Sequence, residues 1–317
     1  MAPQHRPVFI HSVFAAVLLI AISCRPNSGI NKPAIAKKHE IQFKLERNNI
    51  LLPVKVGDSR VFNIILDTGM HFEGLLLYNI APEDSITLEN AIEVEVPGAG
   101  GGAPSPALMV DSISFLVGDL EFKNQRLIIL QSDIMKGFAS EGVTGYSLFG
   151  KYIVHVDYDR MAIVLHESKA VIDSTWERLH MTFKEYKIPW IEAVVNIDGE
   201  QDIPISCYID LASSDALELL VKENMKFNLP EDLEDAYLGR GLSGDIYGHK
   251  GRIAALKLGS FYLEDVMTHF APAEIRSKQE NADGIIGNNA LRRFNVIFDY
   301  KRARLYIKPN EYFSEPF

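Results

Sequence analysis

At 317 residues the chain suits about two domains, on a prior of ~150 residues each, and it is long enough to bury a core without disulfides. Its 32 basic and 42 acidic side chains leave a formal charge of −10 with no long Lys/Arg run, which argues against a nucleic-acid partner. Two cysteines, Cys24 and Cys207, exclude a disulfide framework and an all-cysteine zinc site.

Residues 1–23 read as an export signal. Arg6 sits in a short polar start, and the apolar run Val13–Ile22 is too short to span a bilayer as a folded helix. Ala21-Ile22-Ser23-Cys24 resembles a bacterial lipobox, with Ala21 where Leu is usual. Lipidation of Cys24 implies a lipoprotein held at the cell envelope, facing periplasm or cell surface. Ordinary secretory cleavage nearby is the alternative. Residues 24–42, with Pro26, Asn27, Ser28, Gly29 and Pro33, read as a flexible tether.

The rest is one unit written twice. Glu141-Gly142-Val143-Thr144-Gly145 and Ile153–Tyr158 recur as Asp283-Gly284-Ile285-Ile286-Gly287 and Asn295–Tyr300 at an offset of 142 residues. Ile64-Ile65-Leu66-Asp67-Thr68-Gly69 recurs as Cys207-Tyr208-Ile209-Asp210-Leu211-Ala212 at 143, and Gly98-Ala99-Gly100 as Gly239-Arg240-Gly241 at 141. Ordered anchors at nearly one offset indicate a domain duplication. The lobes fall at 43–167 and 186–311, joined by a linker, 168–185, and followed by a tail, 312–317.

Short apolar segments bounded by turn residues predict strands at Leu51–Val56, Val61–Leu66, Ile92–Val96, Ile113–Val117, Arg126–Leu130, Ile153–Asp157 and Ala162–Leu165. Gly57-Asp58-Ser59 and Asp198-Gly199-Glu200 read as hairpin turns. Helices are expected only near Ser147–Lys151, near Asn289–Arg293 and over Glu231–Tyr237. The pattern predicts an all-β protein with a barrel or sandwich in each lobe.

The chemistry concentrates at Asp67 and Asp210. A strand ending in Asp-Thr-Gly delivers a carboxylate where water is limited. Gly69 lets the backbone turn an N–H toward it, and Thr68 can hydrogen-bond to the other lobe. Two such loops meeting on a pseudo-two-fold axis put two carboxylates close together, where they share one proton and titrate as a pair. One can then take a proton from water while the other gives one to a scissile carbonyl.

The Asp67-Thr68-Gly69 loop, the downstream Val143-Thr144-Gly145 and Ile285-Ile286-Gly287 elements, and their duplication resemble the pepsin/retropepsin clan of aspartic proteases. The nearest similarity is to the bacterial retropepsin-like aspartyl protease family, over nearly all of residues 43–309. The resemblance implies a bilobal pepsin-like fold, two β-barrel lobes about a pseudo-two-fold cleft, and a monomer hydrolysing peptides or unfolded proteins with Asp67 and Asp210. It implies supporting roles for Thr68, Gly69, Leu211, Ala212 and Ser213. It also implies β-hairpin flaps at Gly98–Ser105 and Gly239–Tyr247, with Gly100, Gly101, Gly241 and Tyr247 near substrate.

The second loop departs from the family pattern. Leu211 has no hydroxyl, Ala212 adds a methyl where Gly is usual, and Ser213 offers a hydroxyl to the outer oxygen of Asp210. These differences predict unequal carboxylates, Asp210 being the more hydrogen-bonded. They also support a second reading: a degenerate protease fold that binds peptides or another cell-envelope ligand without cleavage. The glycines at 98–102 run into Pro104-Ser105-Pro106 instead of opening a helix, so no phosphate cradle forms. No His-Glu-x-x-His or Gly-x-Ser-x-Gly element occurs, so neither a metal, a cofactor nor a serine nucleophile is expected. His71 is a candidate cleft residue or a packing one. The Asp-Tyr pairs at 157–158 and 299–300 read as turn caps, and Trp176 and Trp190 as packing between lobes.

Overall fold

The computed structural model describes residues 37–170, 172–184, 187–276 and 281–317. The export signal and Cys24 lie outside the described residues.

Over Leu52–Val56 the side chains of Leu52, Val54 and Val56 are buried while Pro53 and Lys55 stay partly open, the alternation that one face of a barrel wall requires. In lobe one the strand order is Lys44–Glu46, Asn49–Val56, Val61–Leu66, Gly142–Thr144, Gly74–Leu77, Leu120–Leu130, Ser105–Val117, Ile92–Val96. A further pairing of Asn49–Val56 with Ser105–Val117 closes six of these strands into a barrel. Lobe two repeats the order with Thr182–Phe183, Pro189–Asn196, Asp202–Asp210, Gly284–Gly287, Leu217–Val221, Phe261–Pro272, Gly244–Leu258 and Glu234–Gly241. It closes through Pro189–Asn196 on Gly244–Leu258. The chain is therefore mostly β, with the expected bilobal pepsin-like fold.

A third, six-stranded sheet joins the lobes, in the order Lys38–Gln42, Ala162–His166, Ile153–Asp157, Phe294–Asp299, Arg304–Pro309, Glu177–His180. Its centre pairs one lobe with the other, Val154 opposite Phe298 and Val156 opposite Val296. These central strands are buried almost throughout, with only His155 and Asn295 partly open. The end of the expected tether is thus a strand, Lys38–Gln42, held by main-chain pairing to Ala162–His166 with only Ile41 buried. The expected linker likewise contributes Glu177–His180 to this sheet and Thr182–Phe183 to lobe two.

Two short helices, Tyr146–Phe149 and Asn288–Leu291, follow the Gly elements near their expected places. The helix expected over Glu231–Tyr237 does not form. Glu234–Gly241 is a strand paired with Gly244–Lys250, because its partly buried residues Ala236 and Leu238 alternate with exposed ones at period two.

An acidic residue before each Gly element staples it to its neighbour. Glu141 accepts the Asn63 N–H at 2.7 Å and Arg60 Nη1 at 3.0 Å. Asp283 accepts the Ser206 N–H at 2.9 Å and Lys226 Nζ at 2.6 Å.

Candidate active site

Both aspartates leave their barrels at equivalent strand ends. Val61–Leu66 runs parallel to Gly142–Thr144, and the Asp67 N–H donates to the Thr144 carbonyl at 2.8 Å. Asp202–Asp210 runs parallel to Gly284–Gly287, with Asp210 opposite Gly287. Each carboxylate is then met by the amide two residues on. Gly69 N–H reaches Asp67 Oδ1 at 2.6 Å and Ala212 N–H reaches Asp210 Oδ1 at 2.9 Å. Ala212 does not adopt a positive φ, so the turn accepts its methyl without backbone strain.

Thr68 locks the two loops together. Its buried hydroxyl donates to the Ile209 carbonyl at 2.7 Å and accepts the Leu211 N–H at 3.1 Å. Leu211 returns no such bond; its side chain is fully buried in the main core. Ser213 Oγ is met by the Asp215 N–H at 3.4 Å, while the Ser213 carbonyl accepts the Asn288 N–H at 2.8 Å.

Burial, followed by the charge of Asp210, pushes the Asp67 carboxyl up to about 7, against the opposing hydrogen bonds from the Gly69 and Met70 amides. Such a group holds its proton when Asp210 is ionised, as two like charges in a confined site require. Burial, more than the proximity of Asp67, raises the nearby hydroxyls of Tyr78 and Tyr300.

Both aspartates open onto a cavity of about 780 Å³ lined by both lobes. Its roof is a pair of hairpins whose tips interlock. The Ser243 N–H donates to the Ala99 carbonyl at 2.9 Å, and the Ser243 carbonyl accepts the Gly102 N–H at 2.6 Å. Ser105 Oγ donates to the Leu242 carbonyl at 2.6 Å, and the Gly98 N–H donates to Ser243 Oγ at 3.1 Å. Only glycine fits this contact. A Cβ on Gly100, whose φ is +113°, lies 2.6 Å from the Gly244 backbone, and one on Gly241 lies 2.2 Å from the Ala99 carbonyl oxygen. The glycine run is therefore a backbone-to-backbone seam between flaps.

Of the residues expected at the site, Asp67, Gly69, Asp210, Ala212, Ser213 and Gly241 line the cavity. Thr68 and Leu211 lie buried beneath it, and Gly100 is in the flap seam. A Cβ on Gly101 meets nothing within 4 Å. Tyr237, for which no sequence motif gives a signal, lines the cavity, and Tyr247 packs edge-on against it with ring centroids 5.5 Å apart. His71 also lines the cavity, beside Phe72. Both Asp-Tyr pairs cap turns, Asp157 accepting the Arg160 N–H and Asp299 the Arg302 N–H, but their tyrosines diverge: the Tyr158 hydroxyl of lobe one donates to Asn288 Oδ1 of lobe two, next to Gly287, whereas the Tyr300 hydroxyl is buried without a hydrogen-bond partner among the described residues. Trp190 packs on Tyr208 within lobe two, and Trp176 covers His155 on the shared sheet.

No family model and no curated protein matches the chain. Among solved structures it is similar to the crystal structure of an aspartic proteinase from Irpex lacteus, at 10% identity and a TM-score of 0.55. The match covers 88% of this chain and 99% of that one. The similarity is one of fold, a pepsin-like arrangement of two barrel lobes.

Proposed function

We propose that the protein is an aspartic endopeptidase, allied to the bacterial retropepsin-like family, that hydrolyses peptide bonds with water activated by Asp67 and Asp210. One observation carries the reading: the carboxyl of Asp67 is raised by burial and by the charge of Asp210, at the floor of an inter-lobe cleft, on loops locked together by Thr68. A single proton on the pair leaves one carboxylate to take a proton from water and one acid to protonate the carbonyl oxygen. The water oxygen adds to the carbonyl carbon to give a gem-diol; the proton taken from water then passes to the nitrogen, the C–N bond breaks, and a hydroxyl proton of the gem-diol returns to the other carboxylate, restoring the shared proton. No covalent enzyme intermediate is needed. An extended peptide lies between the lobes and pairs with the flap strands, which must part to admit it.

The binding-only reading rests on Leu211 and Ala212. The matching amide contacts at Gly69 and Ala212 favour the enzyme, since the departure leaves the carboxylate's hydrogen bond in place. The reading extends to a monomer exported to the cell envelope and tethered to the membrane through lipidated Cys24, on the strength of the lipobox resemblance.

The test is incubation of residues 25–317 with unfolded protein and peptides from acidic to neutral pH, with and without pepstatin, beside Asp67→Asn and Asp210→Asn. Cleavage abolished by either substitution is the expected result. Cleavage surviving in one variant, or absent from the parent, returns the protein to the binding reading.

A further inference from the structure

The duplication lets each wall of the cleft be compared with its mate. Leu76 lies opposite Val143 and beside Ile128 in lobe one; Glu218 lies opposite Ile285 and beside His269 in lobe two. Val143 and Ile285 are equivalent, so Leu76 and Ile128 correspond to Glu218 and His269. Counting from the aspartates, Met70 and Phe72 correspond to Ser213 and Asp215.

In lobe one these four positions are apolar and pack together. Met70, Leu76 and Ile128 belong to one buried cluster, and Phe72 packs against it. Met70, Phe72 and Leu76 present this cluster to the cavity. In lobe two every one of the four is polar. Ser213 and Asp215 line the cavity, and Asp215 Oδ2 is fixed at 2.8 Å by His269 Nδ1. Glu218 is nearly fully buried behind them. A buried polar cluster where the twin lobe has a hydrocarbon core costs stability unless something else selects it. The Asp215 side chain is 21% exposed, and its hydrogen bond to His269 uses only Oδ2. Two of the cavity-lining cations are held elsewhere, Arg240 on Asp245 at 2.5 Å and Lys136 on Asp133 at 3.7 Å. Arg47 lines the cavity from an exposed turn.

We infer that the cleft reads its substrate asymmetrically: an apolar side chain seats against Met70, Phe72 and Leu76, and a lysine or arginine at the mirror position across the scissile bond seats against Asp215 and Ser213. This inference deepens the protease reading and rests on it. His269 is a positioning residue that holds the Asp215 carboxylate in place. The apolar wall rejects a charge because it offers no partner, and the Asp215 wall prefers a cation because a hydrophobic side chain there leaves a carboxylate desolvated.

The experiment is digestion of a randomised octapeptide library, with cleavage sites read by mass spectrometry, followed by kcat/KM on matched peptides carrying Lys or Leu at the selected position. The parent enzyme should enrich Lys and Arg at one position within two residues of the cut and apolar residues at its mirror. Asp215→Asn should lower kcat/KM for the Lys peptide roughly 10-fold or more while sparing the Leu peptide, as loss of a charge-assisted hydrogen bond predicts. Phe72→Asp should create a second basic preference at the mirror position, and it reads the same geometry if Asp215→Asn folds poorly. Binding of the same two peptides to Asp67→Asn, measured by fluorescence anisotropy, separates the claims. Lys-selective binding without cleavage by the parent refutes only the protease; cleavage without basic enrichment, or selectivity unmoved by both variants, overturns the asymmetric subsite.

Discussion

Replacing Asp67 by Asn keeps the side chain's shape and an oxygen for the Gly69 amide but removes the ionisable group. In the folded protein the Asp67 carboxyl is raised from 3.8 to about 7, first by burial and then by Asp210. Because the folded value lies above the unfolded one, the contribution of this group to stability is complete below pH 3.8 and is lost as the pH rises through about 7. Each pKa unit is worth about 1.4 kcal/mol, so above neutrality the ionised carboxyl costs the fold up to about 4 kcal/mol. Asp67→Asn carries no such cost. Relative to the parent, it should therefore gain up to about 4 kcal/mol between roughly pH 4 and pH 8 while losing all hydrolysis. The assay is urea denaturation of both proteins at closely spaced pH values, followed through the fluorescence of Trp176 and Trp190. Asp210→Asn, which removes the neighbouring charge, should lower the Asp67 titration in part, burial still holding it above an ordinary carboxyl. Parent and Asp67→Asn curves that run parallel across that range refute the raised carboxyl, and with it the shared proton on which the mechanism depends.

Thr68→Val strands the Ile209 carbonyl and the Leu211 N–H in the interior, and should cost about 2–4 kcal/mol in urea denaturation and most of the activity. Ala212→Gly should leave kcat/KM unchanged and lower stability by roughly 0.5–1 kcal/mol, since the turn needs no positive φ; a large gain in activity contradicts that reading. Gly145→Ala should destabilise the protein by ~3 kcal/mol or more and impair cleavage, because its Cβ meets the Asp67 carbonyl oxygen at 1.8 Å. Burial lowers His155 from 6.5 to about 4, so its contribution is present above pH 6.5 and lost as the pH falls through 4. His155→Phe keeps a ring against Trp176 and should spare the protein up to about 3 kcal/mol of acid destabilisation, measured by thermal melts against pH.

Much of this site is written locally. An aspartate at the end of an apolar strand, a small residue two positions on and a glycine element at a constant offset are short-range features, and the duplication makes each legible twice. The short helices and the hairpin turns at Gly57 and Gly199 follow from the same local rules. Glu231–Tyr237 shows where those rules stop. Its composition permits a helix, and only pairing with Gly244–Lys250 makes it a strand.

Two lobes, an aspartate at the end of a strand in each, and the short β segments that build both are legible in the chain alone. Tertiary structure alone decided which strands leave the barrels for the shared sheet, how the flap glycines touch, and that Thr68 reaches Ile209 141 residues away. It also decided that Asp215 meets His269 where the twin lobe keeps Phe72 and Ile128. The physical reason is range. Turn chemistry and the period of a strand act within a few residues, whereas a hydrogen bond or ion pair between distant segments exists only once the barrels have closed and the lobes have met.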